Sequence, residues 1–338
     1  MTAAVFDLPR GLEASAPPTT RDGVRLLVAH AGGVEHARFA ELGTFLSPGD
    51  LVVVNTSATL AAAIDGVRGD GRPVTVHFAT ALDDDSWVLE VRRQGSAEGP
   101  VGDSRSGDVI TLPDGVRLVL QQPHPNGQIR LWQARAGVEG GVPAYLARHG
   151  RPIRYSYVPE PYPLSEYQTV FAREPGSAEM PSAGRPFTPH IVTDLAVRGI
   201  GVVPVTLHTG VSSQEPGEPP QPERFRVSAN TARQVNMTRA WGSRVVAVGT
   251  TVTRALESSA DREGIVRERS GWTDLVLGRD RPAHVVGGLI TGWHAPGASH
   301  LNLLAAVAGD SLVERAYAQA VRERYLWHEF GDSCLLLP

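Results

Sequence analysis

An α/β core domain carrying an inserted all-β, barrel-like domain is the fold this sequence predicts. Three observations lead there. The chain has 338 residues, 41% of them hydrophobic, enough for one large core or two ordinary ones. After residue 138, strand-like apolar runs and helix-like periodic segments follow one another, which argues for α/β layering. Between 66 and 138 the texture changes to short β-like runs separated by Gly, Pro and Asp turns. The expected division is therefore 1–65 with 139–338 for the core and 66–138 for the barrel-like insertion.

In chain order, residues 51–54 form a buried-type apolar run after the turn Ser47-Pro48-Gly49-Asp50 and end in Asn55-Thr56-Ser57. This reads as a core strand delivering polar groups at its tip. The insertion contributes strand-like runs at 74–79, 87–92, 109–112, 116–120 and 128–132, and Asp83-Asp84-Asp85 between two of them reads as a solvated hairpin tip rather than a metal clamp. Helical periodicity returns at 143–149, 190–198 and 229–241, with strands at 202–207 and 245–249. The 214–223 stretch carries Pro216, Pro219, Pro220 and Pro222 and is a loop. A last helix spans about 311–325, with Leu312, Ala316, Tyr317 and Ala320 at helical spacing, and the pattern breaks at Gly331.

Composition removes several chemistries. All 32 basic residues are Arg, so a pyridoxal Schiff base, a lysine nucleophile and a lysine-dependent phosphate loop are excluded. The formal charge of −4 gives no global basic field, so nucleic acid would have to meet a local patch. With Cys334 as the single cysteine there is no internal disulfide and no Cys-based metal site, which suits a reducing, cytoplasmic setting. No signal-like segment occupies residues 1–18 and no apolar run is long enough to span a membrane. No zinc-type His spacing, dinucleotide fingerprint or nucleophile elbow occurs, so no metal or redox cofactor is expected.

The chemistry-bearing candidates sit at strand ends. Residues 245–248 lead into Gly249-Thr250-Thr251 and a helix-like segment, a strand, turn and helix N-terminus where backbone N–H groups favour a carboxylate or phosphate; alternatively, Thr251 merely caps the helix. Arg254 and Glu257 share a face of that helix. His208 follows one apolar run and His294 another, which suggests an acid/base site at a sheet's carboxyl edge. Trp272, Trp293 and Trp327 are either a wall for a cationic ligand or core.

Several segments together resemble the S-adenosylmethionine:tRNA ribosyltransferase-isomerase family of queuosine biosynthesis. They are Phe6-Asp7-Leu8-Pro9, Arg25-Leu26-Leu27-Val28, Pro48-Gly49-Asp50-Leu51-Val52, Tyr167-Gln168-Thr169-Val170-Phe171, Pro181-Ser182-Ala183-Gly184, Val205-Thr206-Leu207-His208, Gly249-Thr250-Thr251 with Arg254 and Leu256-Glu257-Ser258, and Phe330-Gly331-Asp332. The resemblance implies an α/β core with an inserted β-barrel. It also implies S-adenosylmethionine as substrate, its ribosyl portion passing to an aminomethyl-deazaguanine base in tRNA with release of methionine and adenine. Candidate catalytic residues are His208, Glu257 and His294. Candidate substrate contacts are Asn55, Thr56, Tyr167, Gln168, Ser182, Gly184, Thr206, Gly210, Thr250, Thr251, Arg254 and Asp332.

The chain departs from the family pattern where Ala58 and Ala63 replace two expected arginines, and where Pro186 replaces a histidine. Three outcomes follow: transfer to tRNA, use of a small-molecule amine or simple fragmentation, and a non-catalytic protein that only binds S-adenosylmethionine. Free adenine, followed with and without modified tRNA, separates them. A monomer is expected.

Overall fold

The computed structural model describes residues 6–94, 99–125, 128–211 and 220–338. β1 (Arg25–His30) and β2 (Gly33–Arg38) pair antiparallel at one edge of a mixed nine-stranded sheet. β3 (Leu51–Asn55) runs through the sheet's interior, buried along its whole length. Leu51 and Val53 join one hydrophobic core while Val52 and Val54 join another, as the two-residue period of a strand covered on both faces requires. β4 (Ser57–Thr59) then carries the chain out of the sheet.

Six strands follow: β5 (Ala63–Arg68), β6 (Pro73–Ala81), β7 (Trp87–Arg93), β8 (Val109–Thr111), β9 (Arg117–Pro123) and β10 (Leu131–Ala136). They close into an antiparallel barrel in the order β10-β7-β6-β5-β8-β9, filled by side chains such as Ile64, Val76, Phe78, Leu89, Ile110 and Leu118. β5 was not among the runs read from sequence, because Asp65 and Gly66 interrupt its apolar pattern. The strand expected at 128–132 sits further on, at β10. The Asp83-Asp84-Asp85 tip between β6 and β7 is not wholly solvated: Asp83 accepts a hydrogen bond from Trp272 Nε1 (2.8 Å) and pairs with Arg224, which fastens the barrel to the core.

α1 (Val142–His149) packs Val142, Tyr145 and Leu146 into the barrel's own core. β11 (Glu174–Ser177) returns to pair with β4. The remainder is α/β: α2 (Pro189–Val197), β12 (Gly201–Leu207), β13 (Glu223–Val227), α3 (Ala229–Ala240), β14 (Val245–Val248), α4 (Thr250–Ser259), β15 (Arg269–Thr273), β16 (Gly288–Thr291), α5 (His300–Ala308), α6 (Asp310–Arg322) and β17 (Ser333–Leu337). The large sheet has the order β15-β13-β12-β3-β14-β16-β17-β1-β2. Apolar residues of α3 to α6 pack on one face, and those of α2 with residues 39–45 on the other. Of the expected 214–223 loop, residues 214–219 lie outside the described residues, 220–222 are irregular and Glu223 opens β13. No helix among the described residues is long and apolar enough to cross a membrane.

Candidate active site

β12, β3, β14 and β16 are mutually parallel, so Asn55, His208, Gly249 and Gly292 all leave the sheet at one edge. A cavity of about 430 Å³ opens there. Of the residues singled out from sequence it is lined by Tyr167, Ser182, Gly210, Gly249, Thr250, Thr251, Arg254, Trp293 and His294.

The start of α4 is shaped by Gly249, whose φ of 92° and ψ of 162° fall in a region only glycine occupies at low cost. No side chain caps this helix. Its first-turn N–H groups therefore stand where Thr250 and Thr251 line the cavity, which suits an anionic group. Instead of capping, Thr251 Oγ1 accepts from Asn55 Nδ2 at 3.3 Å. One turn on, Arg254 is buried: Nε donates to Leu275 O (3.1 Å), Nη2 to Thr273 O (3.0 Å), and Nη1 pairs with Glu223. Burial holds the Glu223 carboxyl above its ordinary range despite Arg254 and the Gly210 amide.

His294 stacks on His300, ring centroids 4.4 Å apart and planes 1° from parallel. Burial, reinforced by His300 and His328, holds His294 well below its ordinary value, and burial with Arg254 nearby lowers His300 to about 4. Both rings are neutral at pH 7. The hydroxyl of Thr291 lies 3.1 Å from Gly292 O and 3.1 Å from His294 Nε2, within hydrogen-bond reach of both.

The opposite wall is tyrosine and carboxylate. Tyr155 donates to Glu179, and Tyr157 donates to Glu329 Oε2 at 2.5 Å while stacking on His328. Burial raises the Glu329 carboxyl, and burial with Glu329 nearby pushes the Tyr167 phenol up to about 12. Glu179, Glu223, Glu329, Tyr155, Tyr157, His300 and His328 were not singled out from sequence. The Tyr-x-Tyr alternation at 155 and 157 is a trace that could have been read; Glu179 and Glu329 come from irregular segments and Glu223 from the first position of β13, with no periodic signal to mark them.

The other expected residues lie outside the cavity lining. His208 Nδ1 bonds Ser57 Oγ (2.7 Å), which bonds Ser177 Oγ (2.6 Å), which accepts from the Thr209 amide (3.0 Å). Gly176 is needed there, since a Cβ would stand 2.4 Å from the His208 ring. Asn55 ties the same tips together, accepting from the Ser57 and Leu207 amides and donating to Leu207 O. The Glu257 carboxylate accepts from the amides of His284, Val285 and Val286 at 2.9–3.1 Å, which anchors the entry to β16. Gln168 clamps both backbone groups of Thr59, and Thr56 bonds Thr206 at 3.0 Å. Gly184 packs against Thr169, and Asp332 accepts from Arg25 and from the Leu326 amide. Trp293 lines the cavity and stacks on the buried Trp327, whereas Trp272 bonds the barrel tip, so the three tryptophans form no single wall. Among the described residues no group of His, Cys, Asp or Glu is arranged to hold a metal.

Fold and cleft together define an α/β protein with an inserted barrel and a polar cavity at its strand tips. The chain belongs to the queuosine biosynthesis protein family, whose pattern it matches over residues 2–336. It is 36% identical to the S-adenosylmethionine:tRNA ribosyltransferase-isomerase of Symbiobacterium thermophilum over 98% of both chains. It is 37% identical to that of Anaeromyxobacter dehalogenans strain 2CP-1, over 98% of this chain and 97% of the relative. The crystal structure of the S-adenosylmethionine tRNA ribosyltransferase from Thermotoga maritima superposes with a TM-score of 0.55 at 27% identity, covering 98% of this chain and 99% of that one.

Proposed function

We infer that this protein is an S-adenosylmethionine:tRNA ribosyltransferase-isomerase. The observation that carries the reading beyond kinship is the polarity of the cavity. Glu179, Glu223 and Glu329 with Tyr155, Tyr157 and Tyr167 surround it, and Arg254, the one arginine lining it among the described residues, is paired to Glu223. Carboxylates and aromatic faces suit a sulfonium cation, and the open N-terminus of α4 suits the carboxylate of its methionyl portion.

The positive sulfur acidifies the adjacent ribose C5′ protons. His294, neutral at pH 7, is the base we assign to remove one of them. That proton passes to adenine, which leaves with the electron pair of its glycosidic bond; the aminomethyl nitrogen of the tRNA base bonds to the ribosyl portion and loses a proton, and the C5′–sulfur bond breaks with its electron pair going to the departing methionine. His208 and Asn55 act here as positioning residues, fixing three strand tips relative to one another, and Glu257 fixes the strand that delivers His294.

Thermal unfolding with S-adenosylmethionine tests the binding claim. A ligand at a hundred times its Kd stabilises the fold by about 2.7 kcal/mol. A clear rise in Tm is expected, smaller for the uncharged thioether analogue. No shift at millimolar sulfonium would contradict the assignment of the cavity.

A further inference from the structure

A second concave site lies where β5, β6 and β7 meet residues 151–154. It is a groove of about 180 Å³ whose lining includes Arg92, Arg93, Arg151, Arg154, Thr75 and His77. We propose that this arginine groove is the docking surface for the phosphate backbone of the tRNA, an inference that rests on the function assigned above.

Charge is the first argument. The whole chain is net negative, yet four arginines line this groove, one of them, Arg154, held in place by its Nη1 donating to the carbonyls of Val158 (3.0 Å) and Pro159. The acids beside them lie beneath or along the groove and hold it in shape. Glu90, fully buried, accepts from Arg92 (2.9 Å) and Arg130 (2.8 Å), and its carboxyl is held down to about 2: burial pushes it up, but His77 and the two arginines outweigh that. Asp65 takes Arg151 Nη2 at 2.6 Å and the Thr75 hydroxyl at 2.7 Å. The Arg151 side chain remains half exposed, and its hydrogen bonds to Asp65 and Thr75 both use Nη2. Guanidinium forks held by a first carboxylate are preorganised for a second anion of the same geometry, and phosphate is that anion.

Position is the second argument. Arg151 pairs by backbone with Ala63 of β5. From there the chain alternates: Ile153 and Tyr155 line the 430 Å³ cavity, and Arg154, between them, lines the groove. One extended segment is the wall between the two sites. A strand whose phosphates follow the groove therefore passes next to the cavity into which its base must turn.

The test is a titration of the native protein with tRNA at several salt concentrations. Each lost phosphate contact lowers the slope of log affinity against log salt by about 0.7–0.9. For Arg93→Gln/Arg151→Gln, a flatter slope and about tenfold weaker binding are expected. The rate at saturating tRNA and the Tm shift with S-adenosylmethionine should be unchanged. Arg93→Lys/Arg151→Lys keeps the charge and should keep the slope. If the double variant fails to fold, seen as loss of the Tm shift, each single Gln substitution carries the same test. Wild-type slope and affinity in the Gln variants would overturn the groove while leaving the enzymatic assignment standing. Absence of tRNA binding by the wild type would overturn both.

Discussion

His294 is the residue to which the proposed mechanism gives the proton transfer: it lines the cavity, and its Nε2 lies 3.1 Å from the Thr291 hydroxyl. For His294→Gln we expect S-adenosylmethionine to bind but adenine release to slow by roughly 10²–10⁴, the usual contribution of a positioned base. His208→Gln should cost less, since that ring reaches the Ser57 and Ser177 hydroxyls and not the cavity. Equal losses in the two variants would refute the assignment. His300 makes a second, separable prediction. Its folded value of about 4 lies below the ordinary 6.5, so the unfolded chain binds the extra proton first as pH falls. The contribution of His300 to stability should fall by about 3 kcal/mol between pH 6.5 and 4 and add no further loss below. Denaturant midpoints across that window, compared with His300→Asn, would show it; identical pH profiles would count against it. The strand-tip positions of both catalytic histidine candidates were legible because each follows an apolar run. The direction of each side chain was not, since the run that places a Cα does not say which face the next residue takes.

At the scale of elements, the Gly249 turn does two things: it ends β14 and points the first amides of α4 at the cavity. Gly249→Ala should destabilise the protein by about 1–3 kcal/mol, the cost of a side chain in a glycine-only conformation. An added Cβ would also sit 3.3 Å from Ala183 Cβ, tight against the cavity wall. An unchanged denaturant midpoint and unchanged affinity for S-adenosylmethionine would contradict that account. The 245–249 strand and its turn could be read directly from an unbroken apolar run followed by Gly-Thr-Thr. β5 could not, because a barrel strand with Asp65 turned toward Arg151 and Thr75 carries no clean two-residue alternation. Glu257 and Asp332 looked chemical in sequence and are structural here, each carboxylate satisfied by backbone amides. An isolated acid on a helix or in a loop reads the same in both roles until its partners are known.

For the molecule as a whole, the ties between the barrel and the α/β core include Asp83 with Trp272 and Arg224, and residues 151–157, which divide the cavity from the arginine groove. The alternation between long periodic segments and short turn-bounded runs made the barrel visible in sequence. The cavity was only half visible, since its acidic wall comes from the 178–181, 220–223 and 328–329 segments, which meet only once the chain is folded. Asp83→Ala removes one tie, and because the pair is exposed we expect under about 1 kcal/mol of lost stability with a raised KM for tRNA. A KM unchanged from wild type would show that this tie does not place the barrel. The central claim is tested most directly by supplying the native protein with S-adenosylmethionine and tRNA bearing the aminomethyl-deazaguanine base, then quantifying free adenine, free methionine and the modified nucleoside. Adenine and methionine released in equal amounts, matched by ribosyl addition to the tRNA base, is the expected result; S-adenosylmethionine that binds yet stays intact with that tRNA present would contradict it.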